Sequence, residues 1–102
     1  MNPNEASANK SYNIKTNGTT YLTGKGVLLS IVVNTKGSSS NKARIYDSNP
    51  TLGEDPERLK ATLDTTVSIG SIPYGIFVEK GILIVTETGT AADLTVIYAD
   101  TP

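Results

Sequence analysis

Four carboxylates lie close together in the sequence and are the first residues that could do chemistry. They are Asp47, Glu54, Asp55 and Glu57. Carboxylate oxygens in one loop are suitable ligands for Ca²⁺, and two carboxylates about 5 to 10 Å apart can hydrolyse a glycosidic bond. Their spacing does not fit an EF-hand loop, and basic residues follow directly. The pattern therefore favours a solvated surface loop over a metal site or a catalytic pair.

Nucleophilic catalysis has few side chains available in this chain, which contains no His, Cys or Trp. The serines at residues 38–40 could act only with a lysine such as Lys36 or Lys42 as base, and such an amine must be buried. Both lysines lie in a stretch that reads as an exposed loop. The glycines around Lys25 lack the spacing of a phosphate-binding loop. We therefore expect a protein that is not an enzyme, with no catalytic residue, no metal and no cofactor.

Aromatic side chains are the remaining candidates for recognition, and they comprise five tyrosines and Phe77. An exposed tyrosine can stack on a sugar or contact a protein, and it can equally close the rim of a core with its hydroxyl in water. The densest apolar stretch surrounds Pro73, which favours an edge strand. An apolar edge invites association. We expect a partner contact there, through Ile72, Tyr74, Ile76 and Phe77.

Short apolar or alternating segments recur along the chain and are separated by Gly, Asn, Ser and Pro. Strands are predicted at residues 10–15, 19–23, 27–34, 43–47, 58–64, 72–78, 82–87 and 94–98. Regularly spaced short strands with turn residues between them are typical of antiparallel sandwiches and barrels. We predict an all-β fold, an antiparallel β-sandwich of the jelly-roll or immunoglobulin type with about eight short strands.

Turn residues indicate how some of these strands connect. Asn17 and Gly18 suit a tight hairpin, and we expect them to join the first two strands. Residues 36–41, with Gly37 and three serines, predict a flexible connection. Around Asp55 and Pro56 a helix competes with a strand, because these residues suit a helix N-terminus. Alternation favours a strand from Arg58 onward, with one helical turn possible before it.

Alternation also predicts which side chains share a face. Leu59, Ala61 and Leu63 are expected on one buried face. The segment 27–33 is apolar on both faces, which indicates a central strand covered on both sides. Its first face carries Val27, Leu29, Ile31 and Val33, and its second carries Leu28 and Val32.

Length and composition indicate one domain, since 102 residues is a common domain size. Residues 1–10, rich in Asn, Ala and Ser, form an N-terminal arm, and residues 11–102 form a single β-sandwich domain. The arm either frays or becomes ordered on a neighbouring subunit. In the second case Asn4 and Ala6 belong to the partner interface.

Charge and hydropathy exclude several partners. Nine basic and ten acidic residues give a net charge of -1, and the two signs are interspersed, which argues against nucleic acid. The longest apolar segment falls far short of the roughly 20 residues of a spanning helix, so no membrane contact is expected. The first residues lack the apolar stretch of a secretory signal, which predicts synthesis in the cytoplasm.

The segments 26–35, 43–47, 61–66, 81–85 and 94–98 resemble small β-sandwich structural proteins of tailed bacteriophage virions. The resemblance implies a capsid decoration or cement protein, a head-fibre subunit or a tail accessory subunit. Such proteins are usually homo-oligomers, often trimers, and bind a major capsid or tail protein. The resemblance brings no catalytic residues with it.

The leading hypothesis is therefore a non-enzymatic virion component, made in the host cytoplasm and located in the viral particle. The first alternative is a carbohydrate-binding or adhesion module that uses Tyr74 or Tyr46. The second alternative is a hydrolase that uses the carboxylates around Asp55.

Overall fold

Eight β-strands build the molecule, whose computed structural model describes residues 9–100. Every predicted strand is present, with ends that differ from the prediction by at most two residues. The strands are β1 Lys10–Ile14, β2 Gly18–Tyr21, β3 Gly26–Thr35, β4 Lys42–Asp47, β5 Leu59–Asp64, β6 Gly70–Val78, β7 Ile82–Glu87 and β8 Asp93–Asp100. They form two antiparallel four-stranded sheets, so the predicted all-β sandwich is confirmed.

Strand order identifies the kind of sandwich. Sheet A has the order β1-β8-β3-β6, and sheet B has the order β2-β7-β4-β5. The pairs are nested along the chain: β4 lies beside β5, β3 beside β6, β2 beside β7 and β1 beside β8. Among the connections between these strands, β4–β5 alone stays within one sheet. Eight strands arranged in this way form a jelly roll, the first of the two predicted sandwich types.

The predicted hairpin at Asn17 and Gly18 is wrong. β1 pairs with β8 in sheet A, whereas β2 pairs with β7 in sheet B. The dipeptide therefore carries the chain from one sheet to the other. Both residues hydrogen-bond to β7 or to the connection that follows it. The Asn17 amide donates to the Gly89 carbonyl at 3.0 Å, and the Gly18 N–H donates to Thr86 Oγ1 at 3.1 Å.

One hydrophobic core lies between the sheets. It is made mainly of branched aliphatic side chains that point inward from the central strands. The fully buried members include Leu28, Ile31, Val33, Leu94 and Val96 of sheet A and Ile45, Ile82 and Ile84 of sheet B. Burying one such side chain contributes about 1.5 to 3 kcal/mol, so this layer supplies most of the driving force for folding.

A β-bulge in β3 changes which side chains face the core. Leu28 pairs with Tyr98 and Ser30 pairs with Ile97, so Leu29 is an extra residue relative to β8. The extra residue shifts the alternation by one position. Leu28 therefore shares the buried face with Ile31, and the predicted separation of these two residues was wrong. The prediction that this strand is central is confirmed, since β3 lies between β8 and β6.

A second bulge displaces the start of β5. Ala61 pairs with Ile45 but Leu59 pairs with Tyr46, which leaves Lys60 as the extra residue. Leu63 is buried and Ala61 packs against the core, whereas Leu59 is exposed beside Tyr46 on the other face. The prediction of one shared face fails at Leu59 for this reason.

A single helical turn precedes β5, as the sequence allowed. Pro56–Arg58 form a 3₁₀ turn, and the Asp55 carboxylate accepts the Glu57 N–H at 3.0 Å. This bond satisfies one free donor at the start of the turn. Within residues 9–100, no helix is long and apolar enough to cross a membrane.

The connection between β3 and β4, predicted to be flexible, is anchored at several points. Gly37 N–H donates to the Thr65 carbonyl at 3.2 Å, and Ser38 and Thr90 exchange two backbone hydrogen bonds of 3.1 Å. Gly37 and Asn41 are buried. A Cβ on Gly37 would lie 2.6 Å from Thr65 Oγ1, so only glycine fits at this position.

Candidate interaction surface

The acidic residues singled out in the sequence have separate structural roles. Asp47 accepts the N–H groups of Glu79 at 3.1 Å and Lys80 at 2.7 Å, and so holds the turn before β7. Asp55 caps the 3₁₀ turn. In the part of the chain that the structure describes, no three acidic residues are grouped to hold a metal ion. The geometry therefore gives no support to a calcium site, which the sequence already ranked below a solvated surface loop.

Four aspartates have pKa values below their ordinary range. Burial raises the pKa of Asp47, but the N–H groups of Lys80, Glu79 and Gly81 outweigh it. The others accept side-chain hydrogen bonds and are exposed. Lys10 and Thr23 lower the pKa of Asp100, Asn13 and Asn34 lower that of Asp93, and Thr66 lowers that of Asp64.

Acid should therefore destabilise the fold. Because these carboxyl groups have lower pKa values in the folded chain, the unfolded chain binds more protons as the pH falls. Their stabilisation is complete at neutral pH and is lost progressively below about pH 4. Urea unfolding midpoints should decline across this range, and Asp100→Asn should reduce the decline. A midpoint that stays constant down to about pH 2 would contradict this expectation.

The two tyrosines named for sugar binding are buried or half-buried. Tyr46 is only 4% exposed and packs with Leu83 and Val85. Tyr74 is half-buried against the core, and its burial raises the pKa of its hydroxyl. Among the described tyrosines, Tyr12 and Tyr21 are the exposed ones, and they belong to different sheets. The carbohydrate alternative therefore loses Tyr46 as a contact residue, and Tyr74 could contribute only the part of its ring that is exposed.

The strand predicted to contact a partner is an edge of the sandwich. β6 is the outer strand of sheet A, as Pro73 indicated. The side chains of Ile72, Tyr74 and Ile76 are half-buried and pack against the core, whereas Phe77 points away from it and is 77% exposed. Asn4 and Ala6 lie outside the described residues. The partner contact itself stays a prediction.

Phe77 belongs to a wider surface, which we call the outer face of sheet A. Strand register groups its side chains into three rows across β8, β3 and β6. The rows are Ala99–Val27–Phe77, Ile97–Ser30–Pro73 and Thr95–Val32–Ser71. They contain apolar and small neutral residues and no charge.

The corresponding face of sheet B is different in character. Its rows include the charged residues Lys42, Arg44, Asp64 and Glu87, and the Arg44 guanidinium bonds to the Glu87 carboxylate. The face also has one apolar row, Leu59–Tyr46–Leu83, in which Tyr46 and Leu83 are already buried. Charged side chains keep a surface in water. The two broad faces of the sandwich are therefore unequal, and the outer face of sheet A is the one suited to burial.

Polar groups border the outer face of sheet A at both ends. Beyond Phe77, Lys25 and Glu79 form an exposed ion pair of 3.7 Å. At the opposite end, the amides of Asn13 and Asn34 donate to Asp93 at 2.7 and 3.3 Å. An apolar centre with a polar border is the usual anatomy of a protein interface.

The edge beside this face is also apolar. Residues 65–78 contain no charged residue. Besides Phe77 they carry Val67, which is 68% exposed, and Ile69, which is 65% exposed. Reasoning from strand alternation missed Val67 and Ile69, because they lie in the β5–β6 connection. The length of the uncharged run is the signal that could have identified them.

The β6 edge is unsuited to pairing with a further strand. Pro73 has no N–H to donate, and Gly75 adopts a φ of +70° where the register with β3 is irregular. Proline and bulges are devices that prevent strand addition. A partner is therefore expected to contact the side chains of the face and not the backbone of the edge.

Comparison with family models, with curated proteins and with solved structures gives no match to this chain. The surfaces described above are therefore the features of the molecule that bear on its function.

Proposed function

We propose that this protein is a non-enzymatic structural subunit of a phage virion that binds a shell or tail protein through the outer face of sheet A. The observation that carries the proposal is the uncharged character of this face, with Phe77 exposed at its edge. Capsid decoration, head-fibre and tail accessory subunits are the forms of this function that the sequence resemblance favours.

Apolar area that stays in water costs free energy. Removing apolar surface from water contributes about 25 cal/mol per Å², and an exposed aromatic ring is among the largest single contributors. Soluble monomers rarely leave extended apolar patches uncovered. A protein partner with a matching apolar patch would recover this free energy, and the polar borders would set its orientation.

The size of the face limits how it can be used. The three strands that carry its rows have eight to ten residues each and span about 14 by 30 Å, or roughly 400 Å² in projection. A standard interface takes about 800 Å² from each partner. The face therefore needs additional contact area, which the exposed Val67 and Ile69 and the N-terminal arm can supply. Self-association into a homo-oligomer would cover the same surface by the same chemistry.

A charge at Phe77 tests the proposal. Phe77→Glu places a carboxylate within the contact, so binding to purified particles that lack this protein should fall at least about tenfold. Leu59→Glu is the control, because Leu59 is also exposed but lies on the outer face of the other sheet. Cosedimentation with capsids and with tails measures the binding, and native mass measures the oligomer.

The outcomes separate the possible partners. Loss of particle binding with an unchanged native mass supports the shell or tail contact. A dissociated oligomer indicates that sister copies cover the face. Removal of residues 1–9 tests the arm and leaves Lys10 in place to bond Asp100. Wild-type protein that sediments with neither capsids nor tails, or equal losses for Phe77→Glu and Leu59→Glu, would contradict the proposal.

A further inference from the structure

Asn17 and Gly18 form a chemically reactive pair that the interaction surface does not use. Asn17 is the only asparagine in the chain that directly precedes a glycine. Glycine has no Cβ to shield its backbone nitrogen, so this nitrogen can reach the amide carbon of the preceding side chain. Attack there forms a five-membered succinimide, which is the route by which asparagine converts spontaneously to aspartate.

In the folded protein, all three groups that take part in this reaction are held by hydrogen bonds. The attacking nitrogen, that of Gly18, carries an N–H that donates to Thr86 Oγ1 at 3.1 Å. The leaving nitrogen, Asn17 Nδ2, donates to the Gly89 carbonyl at 3.0 Å. Asn17 Oδ1 accepts from Asn41 Nδ2 at 2.9 Å. Asn17 is exposed, so hydrogen bonding and not burial holds it in place.

We propose that Asn17 is a deamidation site gated by Thr86, where local opening of the β1–β2 connection limits the rate. On opening, the Gly18 nitrogen loses its proton to hydroxide and bonds to Asn17 Cγ. The Cγ–Nδ2 bond then breaks as the leaving nitrogen takes a proton from water, which releases ammonia and regenerates hydroxide. Water then cleaves one of the two ring C–N bonds. Cleavage at Cγ gives aspartate, and cleavage at the main-chain carbonyl gives isoaspartate.

Either product disturbs the link between the sheets. A carboxylate at residue 17 has no proton to donate to the Gly89 carbonyl, so that bond becomes a repulsive contact. Isoaspartate also adds a methylene to the main chain between β1 and β2, which belong to different sheets. The gate therefore protects the only direct chain connection between these two strands.

The experiment compares deamidation rates at residue 17 by peptide mass spectrometry under alkaline conditions. Four samples are incubated separately under the same conditions. They are folded wild-type protein, wild-type protein unfolded in urea, folded Thr86→Val, and folded Thr62→Val as a control. Thr62 lies on β5, at the opposite edge of sheet B from the strand that begins at Gly18. Removing the hydroxyl that holds the Gly18 N–H should accelerate deamidation about tenfold, while Thr62→Val reacts at the wild-type rate.

A second measurement needs no variant. Hydrogen exchange of the Gly18 amide requires the same opening, so its protection factor should equal the ratio of the unfolded to the folded deamidation rate. Agreement of these two ratios supports the gate even where Thr86→Val does not fold. Folded wild-type protein that deamidates as fast as the unfolded chain would overturn the proposal. So would a Gly18 amide that exchanges freely while Asn17 stays intact.

Discussion

Replacing Asn41 with alanine should lower the free energy of unfolding by about 3 kcal/mol, because it removes a buried amide whose hydrogen bonds link three separate connections of the chain. Asn41 is 1% exposed. Its amide nitrogen donates to Asn17 Oδ1 and to the Thr88 carbonyl, both at 2.9 Å, and its Oδ1 accepts from the Thr65 hydroxyl. One side chain thus joins the β1–β2, β5–β6 and β7–β8 connections.

Asn34→Ala is the matched control for this change. Asn34 is exposed at the end of β3, where water can replace its bonds to Thr95 and Asp93. Its loss should cost less than about 1 kcal/mol. Chemical unfolding of both variants measures the difference. Equal stability losses for Asn34→Ala and Asn41→Ala would show that the buried network contributes nothing beyond an ordinary surface contact.

The second large effect concerns two neighbouring leucines in β3. Leu28→Ala should cost about 3 to 4 kcal/mol, because Leu28 is fully buried and its truncation leaves a cavity in the core. Leu29→Ala should cost about 1 kcal/mol, because Leu29 is the half-buried extra residue of the bulge. The same chemical change at adjacent positions therefore reports the backbone geometry directly.

Denaturant unfolding of the two leucine variants is the measurement, and thermal unfolding is an independent check. Strand alternation without a bulge would place Leu29 beside Ile31 and Leu28 on the opposite face. That arrangement predicts the larger loss at Leu29. A loss at Leu29 that equals or exceeds the loss at Leu28 would therefore contradict the bulge.

The existence of the strands was predictable because each one is encoded locally. Alternation in β5 and β-branched runs in β3 and β7 identify extended segments without reference to their neighbours. The same is true of the 3₁₀ turn, where Asp55 and Pro56 are adjacent in sequence. Pro73 identified β6 as an edge strand for an equally local reason, its missing N–H.

Strand partners and faces were not predictable, because they depend on residues far away in the sequence. Asn17 and Gly18 have the residue types of a hairpin, but β1 finds its partner in β8 and β2 finds its partner in β7. The bulges at Leu29 and Lys60 are defined only relative to the strands beside them. Each bulge reverses the alternation. As a result Leu28 faces the core, and Leu59 faces away from it.

The candidate surface was predicted in part. The sequence singled out Phe77 and the strand that carries it, but it grouped Phe77 with three residues that face the core. The rows that complete the outer face of sheet A come from β8 and β3, and register alone places Ala99 and Val27 beside Phe77.

Nested strand pairing has a consequence for how the chain reaches its native state. β7 and β8 are the last two of the eight strands to be synthesised, yet β7 lies between β2 and β4, and β8 lies between β1 and β3. A nascent chain that ends at β6 has neither sheet complete and leaves core leucines and isoleucines in water. Topologies dominated by such distant pairings fold in milliseconds to seconds, with the unfinished chain open to aggregation. Folding should therefore begin at the local β4–β5 hairpin and finish only after β8 has left the ribosome.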